Sequence, residues 1–210
     1  MNAASQELAR WMAQCPLVAI IRGVTPDEVE AIGDAVYESG IRMIEVPLNS
    51  PDPLDSIGRL AARFGDRALV GAGTVLEPGQ VREVAGVGGR LIVSPNTHVP
   101  VIEAAVAAGL VATPGYFTPT DAFDALRAGA TGLKLFPAEG ASPKVVKAHR
   151  AVLPKDLALL VVGGIGPDDM QPWIEAGASG FGLGSGLYKP GQSAEETARK
   201  ARAYVQGLGR

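Results

Sequence analysis

Lys134 stands in the run Gly132-Leu133-Lys134-Leu135-Phe136-Pro137, a single charge in an otherwise apolar stretch of strand character. Side chains alternate along a strand, so if Leu133 and Leu135 face a layer of helices, Lys134 points the other way. Burial penalises an ammonium group and lowers its pKa toward the neutral amine, the species that attacks a carbonyl carbon. Two plainer readings stand beside that one: a lysine that snorkels to the sheet edge, or one that pairs with a carboxylate. Glu45, in Ile44-Glu45-Val46-Pro47, repeats the pattern of one charge inside an apolar strand. Its carboxylate could neutralise the lysine, or shuttle protons for it directly or through one water. A purely structural ion pair is the alternative.

Other polar residues fall at strand ends. Arg22 follows Ile20-Ile21, and its guanidinium can grip a carboxylate or phosphate bidentately, or pair with Glu45 at a rim. Thr74 closes Gly71-Ala72-Gly73-Thr74-Val75 and offers a hydroxyl and nearby backbone to a small carboxylate, although a helix cap predicts much the same residues. Val162-Gly163-Gly164-Ile165 and Gly182-Leu183-Gly184-Ser185-Gly186 are glycine clusters after the last two strands, where backbone N–H groups can approach a phosphate closely. Tight turns need glycine too. Pro95 and Pro114 fix loop shape after two further strands, and Pro114 and Phe136 could line a pocket for a keto acid. His98, in the loop 94–98, reads as a surface or loop histidine.

The elements that must position these residues repeat as strand, turn, amphipathic helix, glycine. Apolar strands are expected at 17–21, 42–47, 68–73, 90–94, 110–113, 131–136, 157–163 and 180–184. Short, continuously apolar strands of this kind are buried on both faces, as in a parallel sheet. Thr25-Pro26-Asp27-Glu28 combines an N-cap, a Pro at N1 and a Glu at N3; Ser142-Pro143 opens another helix, and Ser193 with Glu196 repeats the box near the C-terminus. Gly40, Gly109, Gly129 and Gly177 each follow an apolar helix and suit its left-handed closing residue. Eight strand–helix repeats predict a (β/α)8 TIM barrel preceded by a short helix over residues 1–14, with a doubly wound open sheet as the competing layout. No linker or composition break appears, so residues 1–210 are expected to form one domain.

Composition excludes several classes. The formal net charge of −3 comes without a block of one sign, which argues against a nucleic-acid partner. Cys15 is the only cysteine, so no internal disulfide framework exists, and it has no metal-ligand spacing with His98 or His149. No signal peptide pattern is present, and no apolar run approaches the ~20 residues that span a bilayer. A cytoplasmic protein without a membrane partner is the expectation.

Taken in order, Val18-Ala19-Ile20-Ile21-Arg22-Gly23, Ile44-Glu45-Val46, Gly71-Ala72-Gly73-Thr74-Val75, Ser94-Pro95, Thr113-Pro114-Gly115 and Leu133-Lys134-Leu135-Phe136-Pro137 resemble the 2-keto-3-deoxy-6-phosphogluconate and 2-keto-3-deoxy-6-phosphogalactonate aldolases, which include 4-hydroxy-2-oxoglutarate aldolases. The resemblance runs from about Leu17 to Tyr188. It implies a homotrimeric barrel that needs no metal or other cofactor. Lys134 would be the Schiff-base lysine and Glu45 the general acid/base. Arg22 and Thr74 would hold the keto acid's polar end, with Pro95, Pro114, Phe136 and Val162 around it. Gly163, Gly164, Gly184 and Ser185 would hold the phosphate. The partners would be a phosphorylated 2-keto acid, pyruvate and glyceraldehyde 3-phosphate. Glu45-Val46-Pro47-Leu48-Asn49-Ser50 lacks the arginine that the gluconate type carries after its glutamate strand, and Val162 stands where that type tends to have Thr. Both features, with Gly182-Leu183-Gly184-Ser185 ahead of Leu187-Tyr188, resemble the galactonate branch. The gluconate type is the first alternative, and a phosphosugar epimerase or isomerase, with Glu45 as base, is an alternative from another class.

Overall fold

In the computed structural model, residues 3–209 are described; Met1 and Asn2, the start of the expected N-terminal helix, and Arg210 lie outside them. The order is α1 (Ala3–Gln14), β1 (Leu17–Ile20), α2 (Pro26–Glu38), β2 (Met43–Pro47), α3 (Pro53–Phe64), β3 (Leu69–Gly73), α4 (Pro78–Gly86), β4 (Leu91–Val93), α5 (Val99–Ala107), β5 (Val111–Thr113), β6 (Gly115–Tyr116), α6 (Pro119–Arg127), β7 (Gly132–Leu135), α7 (Pro143–Arg150), β8 (Ala158–Val162), α8 (Met170–Glu175), β9 (Gly180–Leu183) and α9 (Ala194–Gly207). Neighbouring strands pair in parallel, in the order β5-β4-β3-β2-β1-β9-β8-β7-β6. The two ends of that order, β5 and β6, are consecutive pieces of one strand broken at Pro114.

That break explains nine strand segments where eight strands are expected. Pro114 has no N–H to give the ladder, so regular pairing lapses there. The cylinder still closes across the gap, because Ala112 O accepts from Thr131 N at 2.9 Å and Pro114 O from Lys134 N at 2.9 Å. The fold is therefore a (β/α)8 barrel, not an open sheet.

Alternation along the strands divides the apolar residues between two cores. Leu17, Ala19, Ile44, Val46, Leu133, Leu135, Leu159 and Val161 pack outward against the helices. Val18, Met43, Leu69, Leu91, Val111 and Leu160 fill the barrel, where Leu8 and Trp11 of α1 join them. The N-terminal helix thus plugs the base of the cylinder, and Glu7 clamps it there with a 2.8 Å salt bridge to Arg90. The helix ends behave as their residue types require. Glu28 accepts from the Thr25 hydroxyl at 2.8 Å and from its N–H at 3.3 Å, and Ser193 Oγ accepts from Glu196 N at 3.2 Å. Gly40, Gly109, Gly129 and Gly177 all have positive φ, which lets each helix turn directly into its next strand.

Candidate active site

With one end of the barrel plugged by α1, the C-terminal ends of the strands form the open mouth, where barrels carry their sites. A cavity of ≈ 630 Å³ lies there. It is lined by Arg22, Thr74, Pro95, Lys134, Phe136, Val162, Gly163, Gly164, Gly184 and Ser185, residues brought together from six strand ends. Two of the expected residues are not in this lining. Glu45 is only 1 % exposed and lies deeper in the barrel. Pro114 does not line the cavity because its backbone forms part of the barrel wall, where its carbonyl accepts from Lys134 N.

Lys134 is buried, with its Nζ 4.7 Å from the centroid of the Phe136 ring. Burial lowers its pKa; the Glu45 charge works against that shift and the Arg22 charge adds to it. Burial also pushes the Glu45 carboxyl up to about 7, against the smaller lowering effects of Lys134 and Arg22. Each group therefore leans toward its neutral form. The two are coupled through space, yet no hydrogen bond or salt bridge joins them among the described residues, and Glu45 Oε2 is buried without a hydrogen-bond partner. Gly73 makes this burial sterically feasible: a Cβ there would lie 1.9 Å from Glu45 Oε2. Alanine at 73 would occupy the position of the carboxylate.

After β1 and β3, the strands on either side of β2, Arg22 donates to Thr74 Oγ1 at 3.3 Å and to the Asn49 side chain, not to Glu45. Thr74 adopts φ 57, a left-handed conformation unusual for a β-branched residue and typical of strained positions in sites. Ser50 Oγ accepts from Gly23 N at 2.9 Å, tying the loop after β2 to the one that carries Arg22. Asn49 thus holds Arg22 from outside the cavity lining. The sequence marked it only as a departure from an arginine.

The glycine clusters divide into two kinds. A Cβ at Gly163 would meet Glu139 Oε2 at 2.1 Å, and one at Gly164 would meet Glu139 Cγ at 2.8 Å, so these glycines accommodate Glu139 as well as any ligand. At Gly184 an added Cβ would meet nothing within 4 Å, so protein packing does not demand its absence. Glu139, Asp169, Lys189 and Tyr204 also line the cavity and were not singled out from the sequence; Tyr188, marked there only as a feature of the galactonate branch, lines it too. Among the described residues, no group of three or more His, Cys, Asp or Glu could hold a metal ion, and no helix is long and apolar enough to cross a membrane.

Fold and cavity together define a (β/α)8 barrel of the enzyme type, with a lysine and a carboxyl group buried beneath a polar mouth. The chain belongs to the KDPG and KHG aldolase family, which it matches over residues 8–201. It is 49% identical over 197 residues to the 2-dehydro-3-deoxy-6-phosphogalactonate aldolase of Escherichia coli (strain K12), covering 94% of this chain and 96% of the relative. A probable 2-dehydro-3-deoxy-6-phosphogalactonate aldolase of Rhizobium meliloti (strain 1021) is 48% identical over 190 residues, covering 90% of each chain. A solved structure described as native KDPGal superposes with a TM-score of 0.92 at 49% identity, covering 93% of this chain and 95% of that one.

Proposed function

We propose that this chain is a class I aldolase that cleaves 2-dehydro-3-deoxy-6-phosphogalactonate to pyruvate and D-glyceraldehyde 3-phosphate through a Schiff base on Lys134. The observation that carries the reading is the buried, mutually coupled Lys134 and Glu45 beneath the cavity. A lysine whose amine is held toward neutrality attacks the C2 carbonyl and loses water to give an iminium. Glu45, as carboxylate, takes the proton from the C4 hydroxyl. The C3–C4 bond breaks, its electron pair passes to the iminium, and the aldehyde leaves an enamine of pyruvate. Protonation at C3 by the same carboxyl group, followed by hydrolysis, frees pyruvate and the lysine. The absence of a direct Lys134–Glu45 bond suits a proton relay through one water, a step worth roughly 10²–10⁴-fold. Arg22, held by Asn49 and Thr74, is suited to the substrate carboxylate. The N–H groups around Gly163, Gly164, Gly184 and Ser185 are suited to the phosphate.

The galactonate branch is supported by the two relatives of that type and by Val162, which offers the cavity wall no hydroxyl. The homotrimer is carried over from the family resemblance; Leu76, Val99, Phe117 and Val152 are exposed apolar side chains that a subunit contact would cover. A cytoplasmic location completes the reading.

The test is to incubate the protein with pyruvate and sodium borohydride and map the modified peptide. A reduced pyruvyl adduct on Lys134 is expected. A folded sample without one would shift the assignment to an epimerase or isomerase, which forms no such imine. Assays with both C4 epimers are expected to favour the galactonate substrate, and Val162→Thr is expected to shift the kcat/KM ratio toward the gluconate substrate. An unchanged ratio would remove Val162 from the account of specificity.

A further inference from the structure

We infer that Tyr204, on α9, is a positioning residue that sets the spacing of the two loops at the phosphate end of the cavity; the inference rests on the aldolase reading above. Tyr204 is only 4% exposed, and it reaches from the C-terminal helix to the cavity wall. Its hydroxyl donates to Ile165 O at 3.0 Å, immediately after Gly163–Gly164. The same hydroxyl bears on the other loop: a Cβ at Gly186 would lie 2.3 Å from it. One oxygen therefore touches the loop after β8 by a hydrogen bond and the loop after β9 by packing. Among the described residues, no hydrogen bond directly joins residues 163–166 to residues 184–190.

The consequence follows from how backbone amides hold an anion. Each N–H must aim at the ligand, and small displacements weaken charge-assisted hydrogen bonds sharply. Gly163 and Gly164 have φ of +119° and +67°, conformations that resist displacement poorly without a side-chain strut because glycine has no Cβ of its own to restrict it. Tyr204 supplies that strut from a helix anchored elsewhere, since α9 packs along α2. The hydroxyl has its single proton committed to Ile165 O, so it acts on the loops and not as a donor to the ligand. Among the described residues no hydrogen bond joins it to Lys134, and its partner Ile165 follows the glycines of the phosphate end, so its effect belongs to binding of that end.

Tyr204→Phe keeps the ring and deletes the contact. KM for the phosphorylated substrate, and for glyceraldehyde 3-phosphate in the addition direction, is expected to rise roughly five- to tenfold, the scale of one hydrogen bond's loss. The change in kcat is expected to stay within about twofold, and the loss with unphosphorylated glyceraldehyde to be much smaller. The geometry also dictates a rescue. Gly186→Ala should raise KM in the native background, because its methyl group meets the hydroxyl. In the Tyr204→Phe background the next ring atom is 3.5 Å away, so the double variant should bind no worse than Tyr204→Phe alone. An unchanged KM, equal losses on glyceraldehyde, or additive losses in the double variant would overturn the inference. If pyruvate is trapped on Lys134 but the native protein shows no preference for the phosphorylated aldehyde, the Schiff-base reading stands and the clasp falls. Without trapping, both fall.

Discussion

Lys134→Met is expected to lower cleavage by ~10⁴-fold or more, to abolish the borohydride adduct, and to leave the protein folded. Methionine fills the same elongated space without a charge, next to the Phe136 ring. The variant's stability should nevertheless acquire a distinctive pH dependence. Lys134 is the foremost influence lowering the Glu45 pKa, so its removal lets burial push that carboxyl above its present value of about 7. A carboxyl group raised on folding contributes stability that is complete below its unfolded pKa and is lost as pH rises through the folded value. In the native chain that loss occupies the window from 4.5 to about 7; in the variant it continues further. Lysine acts in the opposite direction, because its lowered pKa costs the native chain stability only where the unfolded chain's lysine is protonated and its own is not or is charged at a penalty. That cost fades as pH rises toward 10.5. Both effects make the variant's melting temperature fall, relative to the native protein, as pH rises above about 7 toward 10.5. Parallel melting curves across that range would mean that the two groups are not coupled. A pyruvate adduct persisting in the variant would place the nucleophile elsewhere.

What the sequence disclosed about this site was what strand alternation controls. Lys134 and Glu45 each interrupt an apolar strand, and adjacent strand residues point to opposite faces, so the outward packing of Leu133, Leu135, Ile44 and Val46 turns both charges inward. The helix boundaries were equally local, being set by caps such as Thr25 and closing glycines such as Gly40. What stayed hidden depended on contacts between distant segments. Asn49 and Arg22 meet only once the loops after β1 and β2 lie side by side, and Tyr204 reaches the cavity from a helix 39 residues beyond Ile165. Pro114 illustrates a different failure. Its residue type implied a fixed loop, with the pocket wall as a further possibility; the missing N–H instead acts on the ladder, splitting one strand into β5 and β6 while its carbonyl accepts from Lys134 N. Gly163 and Gly164 carried a real signal with two causes, a ligand's approach and the packing of Glu139, which only coordinates can separate.

Glu45→Gln should divide the two halves of the reaction that Lys134→Met abolishes together. Glutamine preserves the shape that Gly73 accommodates but cannot accept the C4 proton, so cleavage is expected to slow by roughly 10²–10⁴-fold. The native enzyme's kcat/KM should fall on the acid side with an apparent pKa of about 7, because a base with its pKa raised by burial is protonated below that point. In Glu45→Gln that limb should vanish from the residual rate. Imine formation should respond in the other direction. Glu45 is the group that holds the lysine pKa up against desolvation, so neutralising it lowers that pKa further and enlarges the fraction of free amine at a given pH. Pyruvate trapping on Lys134, read as equilibrium adduct yield against pH, should therefore persist in the variant and extend to lower pH. A variant that loses trapping and cleavage in equal measure would make Glu45 a partner that merely orients the lysine. One that keeps the acid limb near 7 would assign that titration to another group. Slowed carbon–carbon cleavage with an adduct that survives to lower pH is the combination that only a proton-transferring carboxylate, coupled to the lysine through space, produces.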